Sequence, residues 1–169
     1  MIATLFQKNN VKDTLKITPQ NVVKKENKIK KDPSFEEQYE NSLKLFNIGS
    51  FTKATKEFTR LIQAYPDSKL LKNLYYWLGL SYYSLENFDL AHKNFLISLK
   101  TKGYRNKSAD ATFMLGKTLY QMNKFADSFE YFAKYNKKFN NNRYNKSAKF
   151  YMEMLLKDKK IGKNKKKNS

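Results

Sequence analysis

Few side chains in this sequence could carry covalent or acid–base chemistry. His92 is the single histidine among 169 residues, and cysteine is absent. A nucleophile–base pair of the usual kind sets an imidazole beside a hydroxyl or thiol, and a transition-metal site needs several imidazoles or thiolates. One imidazole gives neither, and its place in the helical pattern predicts an exposed helix face for His92. Glu36 and Glu37 are adjacent, so on a helix they point to different sides. The five glycines are scattered and form no phosphate-cradling loop. These features predict a chain that is not an enzyme, with no cofactor, no metal and no small-molecule substrate. The chemistry that remains is that of contact. Twelve Tyr and thirteen Phe must either be buried or be offered to a partner.

The formal net charge of +19 raises a polyanion partner, nucleic acid or an anionic membrane surface. Three features argue against that reading. The basic residues are nearly all Lys, with Arg only at Arg60, Arg105 and Arg143, whereas phosphate and base recognition favours the bidentate guanidinium. Asn, Ile, Phe and Tyr are abundant as well, the pattern of AT-rich codon usage. The charge also gathers at the ends: residues 1–33 carry a net +5 and residues 157–169 a net +6. The Lys-rich tail therefore reads as a solvated terminus. No apolar run approaches the ~18 residues of a membrane span. The start, with Ile2, Ala3, Leu5 and Phe6, lacks the basic region, long apolar core and small-residue cleavage site of a signal peptide.

The elements that must position the aromatics follow from an internal repeat. At an offset of 37 residues, Phe51 aligns with Phe88 and Phe125, Ala54 with Ala91 and Ser128, and Phe58 with Phe95 and Phe132. Upstream, Ser42, Gly79 and Gly116 align, as do Leu45, Tyr82 and Leu119, and Phe46, Tyr83 and Tyr120. Apolar residues recur at helical spacing in two stretches of each copy. Breakers at Gly49-Ser50, Asn87 and Asn123 divide the stretches. Pro66, Gly103 and Asn140–Asn142 close them. Helices are predicted over 35–48, 51–64, 69–85, 88–101, 106–122, 125–139 and 143–158. Asp32 can cap the first, Pro33 suits its first turn, and Ser34 with Glu37 reads as a capping box. The small residues at 79, 91, 116 and 128 should let paired helices approach closely, with Phe58, Phe95 and Phe132 filling the wedge. Residues 34–158 form the expected helical domain, and 1–33 and 159–169 are expected to be disordered.

Trp77-Leu78-Gly79, then Tyr82, Ala91 and Phe95, resembles the W…L-G…Y…A…F pattern of tetratricopeptide repeats. The resemblance implies an all-α solenoid of helical hairpins, three repeats of about 37 residues plus a C-terminal capping helix. The run Tyr65-Pro66-Asp67-Ser68, with Tyr76-Trp77-Leu78-Gly79, Tyr82-Tyr83, Asn87-Phe88 and Ala91, further resembles the C-terminal domain of the YbgF/CpoB family. That resemblance covers about residues 38–157. It implies a periplasmic adaptor that binds a Tol protein of the Tol–Pal system and coordinates envelope constriction in cell division. The family's signal segment and N-terminal coiled coil have no counterpart in residues 1–33, so a cytoplasmic location follows if Met1 is the true start.

In such repeats the first helix of each hairpin lines a concave groove. The resemblance places there Tyr39, Leu43 and Phe46 from the first copy and Tyr76, Leu80 and Tyr83 from the second. Phe113, Lys117 and Tyr120 follow from the third, with Phe150 and Met154 from the last helix. This row would grip a helix or an extended peptide of a protein partner. The alternative for the same aromatics is packing between adjacent repeats, most of all for Tyr76 and Phe113. Two other functional readings remain: a cytoplasmic repeat chaperone of the secretion type, and a basic nucleic-acid-binding repeat protein.

Overall fold

Seven stretches of three- and four-residue apolar spacing form helices in the computed structural model, which describes residues 33–103, 107–139 and 142–157. They are α1 (Phe35–Asn47), α2 (Phe51–Ala64), α3 (Leu71–Ser84), α4 (Phe88–Lys100), α5 (Ser108–Gln121), α6 (Phe125–Lys138) and α7 (Asn145–Lys157). No strand occurs among the described residues. The segments expected to be disordered, 1–33 apart from Pro33 and 159–169, lie outside them, as does the candidate cap Asp32.

Each helix packs chiefly on its neighbours in sequence, and α3 also meets α5. The order follows from the short connections, because a turn of a few residues returns the chain against the helix it has just left. Ser34 caps α1, its hydroxyl accepting from the Glu37 amide at 3.2 Å. Pro33 therefore precedes the cap rather than opening the helix.

The turns after α1, α3 and α5 repeat one geometry. Gly49, Glu86 and Asn123 have φ of 77°, 57° and 58°, and they stand 37 residues apart. In each turn that residue's amide donates to the carbonyl three back: Gly49 to Phe46, Glu86 to Tyr83, Asn123 to Tyr120. The next amide donates five back: Ser50 to Leu45, Asn87 to Tyr82, Lys124 to Leu119. This double closure of a left-handed residue is the Schellman motif, which satisfies the last helical carbonyls. In the second copy the turn pivots on Glu86, not on the expected breaker Asn87. Asn87 instead caps α4, its side chain accepting from the Leu90 amide at 3.2 Å. Helices α3, α5 and α7 begin two residues later than expected. Before α3, Ser68 bonds back to Tyr65 and Leu71 to Ser68; before α7, Asn142 bonds to Phe139 and Asn145 to Asn142. Those turn bonds occupy the residues that the periodicity had given to helix.

The crossing columns behave as their residue types demand. Ala54, Ala91 and Ser128 are fully buried, as are Phe58, Phe95 and Phe132. A methyl placed on Gly79 would lie 2.8 Å from the Phe95 ring, and one on Gly116 would lie 2.7 Å from Phe132. Only a residue without Cβ admits those rings. The Ser128 hydroxyl donates to the Gly116 carbonyl at 2.8 Å, so the third crossing holds a buried polar contact that is satisfied. One core cluster gathers Ala54, Phe58, Leu61, Leu74 and Leu78. A second includes Tyr76, Phe95, Phe113, Leu115, Phe132, Tyr135 and Leu155. Trp77 and Tyr82 pack against both.

Candidate functional site

The aromatic column of Phe46, Tyr83 and Tyr120 sits where each odd-numbered helix meets the turn that follows. Each ring lies edge-on to the first residue of the next helix: Phe46 to Phe51 at 5.3 Å, Tyr83 to Phe88 at 5.5 Å and Tyr120 to Phe125 at 5.6 Å between centroids. Edge-to-face packing fixes the ring planes. Phe46 also contacts Trp77 at 5.3 Å, and Tyr120 contacts Tyr151 at 5.6 Å. All three column members remain half-buried, as do Tyr39, Leu43, Leu80, Lys117 and Met154. These eight residues are seven uncharged side chains and one ammonium, each partly accessible. The Lys117 Nζ stands 5.2 Å above the Tyr83 ring, a cation–π contact that holds the charge over the aromatic face.

Three of the eleven expected groove residues do not share that half-buried state. Tyr76 and Phe113 are 3% and 4% exposed and lie inside the second core cluster. Lys107, next to α5, places its Nζ 5.2 Å from the Tyr76 ring. Tyr144 stacks on Phe113 at 4.3 Å between centroids and 6° between planes. Each is covered by the element that follows it, so neither offers a surface to a partner. Phe150, their counterpart 37 residues on, is 62% exposed. Its ring meets Tyr151 edge-on at 6.1 Å between centroids. Its neighbour Tyr151 does the packing, stacking on Phe132 at 4.8 Å and 9°.

Sequence reasoning also missed polar contacts between these helices. The Trp77 indole N–H donates to the Tyr39 hydroxyl at 3.0 Å. Burial raises the Tyr39 phenol above its ordinary range, partly offset by that bond. The nearby Asn73 side chain offsets it further, and the Asn73 carbonyl oxygen is buried with no hydrogen-bond partner among the described residues. Further along, the buried Asp110 carboxylate accepts from Arg143 at 2.8 Å and lies 3.6 Å from Lys107. Burial and the nearby Asp110 charge push the Tyr76 phenol far above its usual value. The spacing of Asp110 and Arg143, 33 residues, carries no helical signal, so no pattern in the sequence announces the pair.

His92 is half-buried on α4 rather than exposed. Burial and then the Lys124 charge lower its pKa below the ordinary imidazole value, which favours the neutral form. Among the described residues no three His, Asp or Glu side chains gather in a way that could hold a metal ion. No described helix is long and apolar enough to cross a membrane.

No protein-family model matches the chain, and no curated protein matches it.

Proposed function

We propose that the chain is a tetratricopeptide-type solenoid of three 37-residue hairpins with a seventh, capping helix, and that it works as a non-catalytic adaptor. Its partner is a helix or extended peptide of another protein, laid along Tyr39, Leu43, Phe46, Leu80, Tyr83, Lys117, Tyr120 and Met154. One observation carries the reading: the column Phe46, Tyr83 and Tyr120 recurs with the same edge-on support in every copy and stays half-buried. Packing explains one face of each ring. A preorganised aromatic surface is the kind of anchor that dominates protein interfaces. The resemblance to the YbgF/CpoB domain supports a periplasmic adaptor, with a Tol protein as partner and envelope constriction in division as the process served.

The test is capture from a Gram-negative envelope extract. Tyr83→Ala with Tyr120→Ala should abolish capture, each truncation costing ~2 kcal/mol or more of binding energy. Because both rings also brace a turn, Lys117→Glu is the companion variant, altering the row without removing an aromatic. Exposed Lys93 and Lys134 serve as controls, and their Ala variants should bind as the parent does. Retained capture by both row variants, at matched melting temperature, would remove the row as the contact surface. Capture of a Tol protein is the result expected, and nanomolar nucleic-acid binding at physiological salt would replace this reading with the polyanion one.

A further inference from the structure

Helices α2, α3 and α4 leave a groove on a face that the aromatic row does not use. Its floor is a stripe of α3 at i, i+3 and i+7: Tyr75, Leu78 and Tyr82. Leu80 and Tyr83 of the row stand about a third of a turn away around the same helix. Ile62 and Gln63 of α2 form one wall, and Leu90, Lys93 and Ile97 of α4 the other, around a hollow of about 370 Å³. A second hollow of about 290 Å³ shares Thr59, Gln63 and Tyr82 with the first and carries the groove on to Lys56 and Arg60.

The groove is apolar at the bottom and basic at both edges. Leu78 is buried and Ile62, Leu90 and Ile97 are half-buried, whereas Lys56, Arg60 and Lys93 are exposed. No carboxylate lines either hollow. Glu57 of α2 holds Arg60 at 2.9 Å. Among the described residues no hydrogen bond or ion pair engages the side chains of Lys56, Lys93, Gln63, Tyr75 or Tyr82. The high net charge of the chain does not by itself produce this pattern. In the next copy, 37 residues on, the places of Leu90 and Lys93 are taken by Asp127 and Glu130 of α6, both exposed. The same edge is acidic there.

Ammonium groups on opposite walls and an aliphatic floor select an occupant that is negative at its sides and apolar beneath. A nucleic-acid strand would need open aromatic faces on which to stack bases. Tyr82 instead packs against both core clusters, and the side chains between the walls are Leu and Ile. From Tyr75 to Tyr82 the floor runs ~10 Å at 1.5 Å per residue, two turns of helix. We propose that this groove binds an acidic amphipathic helix of a partner protein, a contact separate from the one along the row. Apolar side chains at i, i+3 or i+4, and i+7 of that helix fill the floor. Its carboxylates meet Lys56, Arg60 and Lys93, which sets orientation and speeds encounter. An interface of two turns is small, so the complex is weak and reversible.

The test is fluorescence anisotropy of the full chain with a labelled peptide carrying Leu at those spacings and Glu at most other positions. The parent should bind it, and raising salt from about 50 to 300 mM should weaken binding, because the rim charges are exposed. Lys56→Glu with Lys93→Glu should raise Kd about tenfold or more, with the helical signal kept. Both residues lie outside the row, so capture along the row does not depend on them. Lys134→Glu with Lys146→Glu makes the same change of net charge on α6 and α7, and should alter Kd by about twofold at most. A peptide with Gln for every Glu should bind more weakly, and so should one with Ser for every Leu. The proposal is overturned if the parent leaves the acidic peptide unbound at several hundred micromolar. Equal losses from the two charge-reversed pairs, or undiminished binding of the Ser peptide, would reduce the effect to the net charge and overturn it as well. Tighter binding of an oligothymidylate, lost on Lys56→Glu with Lys93→Glu, would give the groove to nucleic acid instead.

Discussion

Glu86 shows how strongly a repeat can impose a backbone on an unsuited residue. Its φ of 57° belongs to the left-handed region, which costs an L residue with a Cβ roughly 1–2 kcal/mol. Gly49 holds the equivalent place with no such cost, and Asn123 tolerates it through its short polar side chain. Glu86→Gly should therefore stabilise the protein by about 0.5–1 kcal/mol, the relief of strain less the entropy that glycine adds to the unfolded chain. Asn123→Gly should gain less, and Gly49→Ala should lose about 1 kcal/mol. Urea midpoints at unchanged slope measure all three, and a destabilised Glu86→Gly would contradict the strain argument. Gly49 was legible in the sequence as a breaker. Glu86 was not, because glutamate carries no turn signal. Only the 37-residue offset from Gly49 and to Asn123 points to it.

At the scale of the helices, residue size makes the crossings legible, whereas the sequence offers two readings of Tyr76 and Phe113, a partner surface and packing between repeats. Small residues at 79, 91, 116 and 128 demand a close approach whatever the fold's name. Whether an aromatic faces a partner or the next helix depends on an interhelical offset that spacing along one helix does not contain. The crossing of α5 and α6 gives a test with opposite signs. Glycine in a helix interior is about 1 kcal/mol worse than alanine, so Gly116→Ala would stabilise an open site. With Phe132 Cε1 at 2.7 Å from the new Cβ, it should instead cost ~1–3 kcal/mol. Phe132→Leu removes the colliding ring edge at the expense of a cavity. The two substitutions together should cost at least 0.5 kcal/mol less than the sum of the separate losses. Strict additivity would mean that Gly116 and Phe132 do not meet.

For the stack as one object, sequential packing makes stability a local property. A helix that touches mainly its neighbours passes a perturbation on only through them, so the ends of such an array can open before the middle. The single tryptophan allows this to be seen. Trp77 packs against both core clusters and is tied to Tyr39 by its indole N–H, so its fluorescence reports the middle. Far-ultraviolet dichroism reports all seven helices together. Tyr151 anchors the last helix through Phe132, Tyr120 and Phe113, at 4.8, 5.6 and 6.4 Å between ring centroids. Tyr151→Ala removes those contacts, and aromatic truncations of this kind cost about 3 kcal/mol. That loss falls on α7 and the α5–α6 crossing, several helices from α1 and α2. The dichroism transition of the variant should start at lower temperature, while the Trp77 transition shifts by a smaller amount, so that two coincident curves become separable. If both curves move together by the same interval, the chain melts as one cooperative unit. Coupling through the α3–α5 contact and the clusters that share Trp77 would then outweigh the sequential order of the helices.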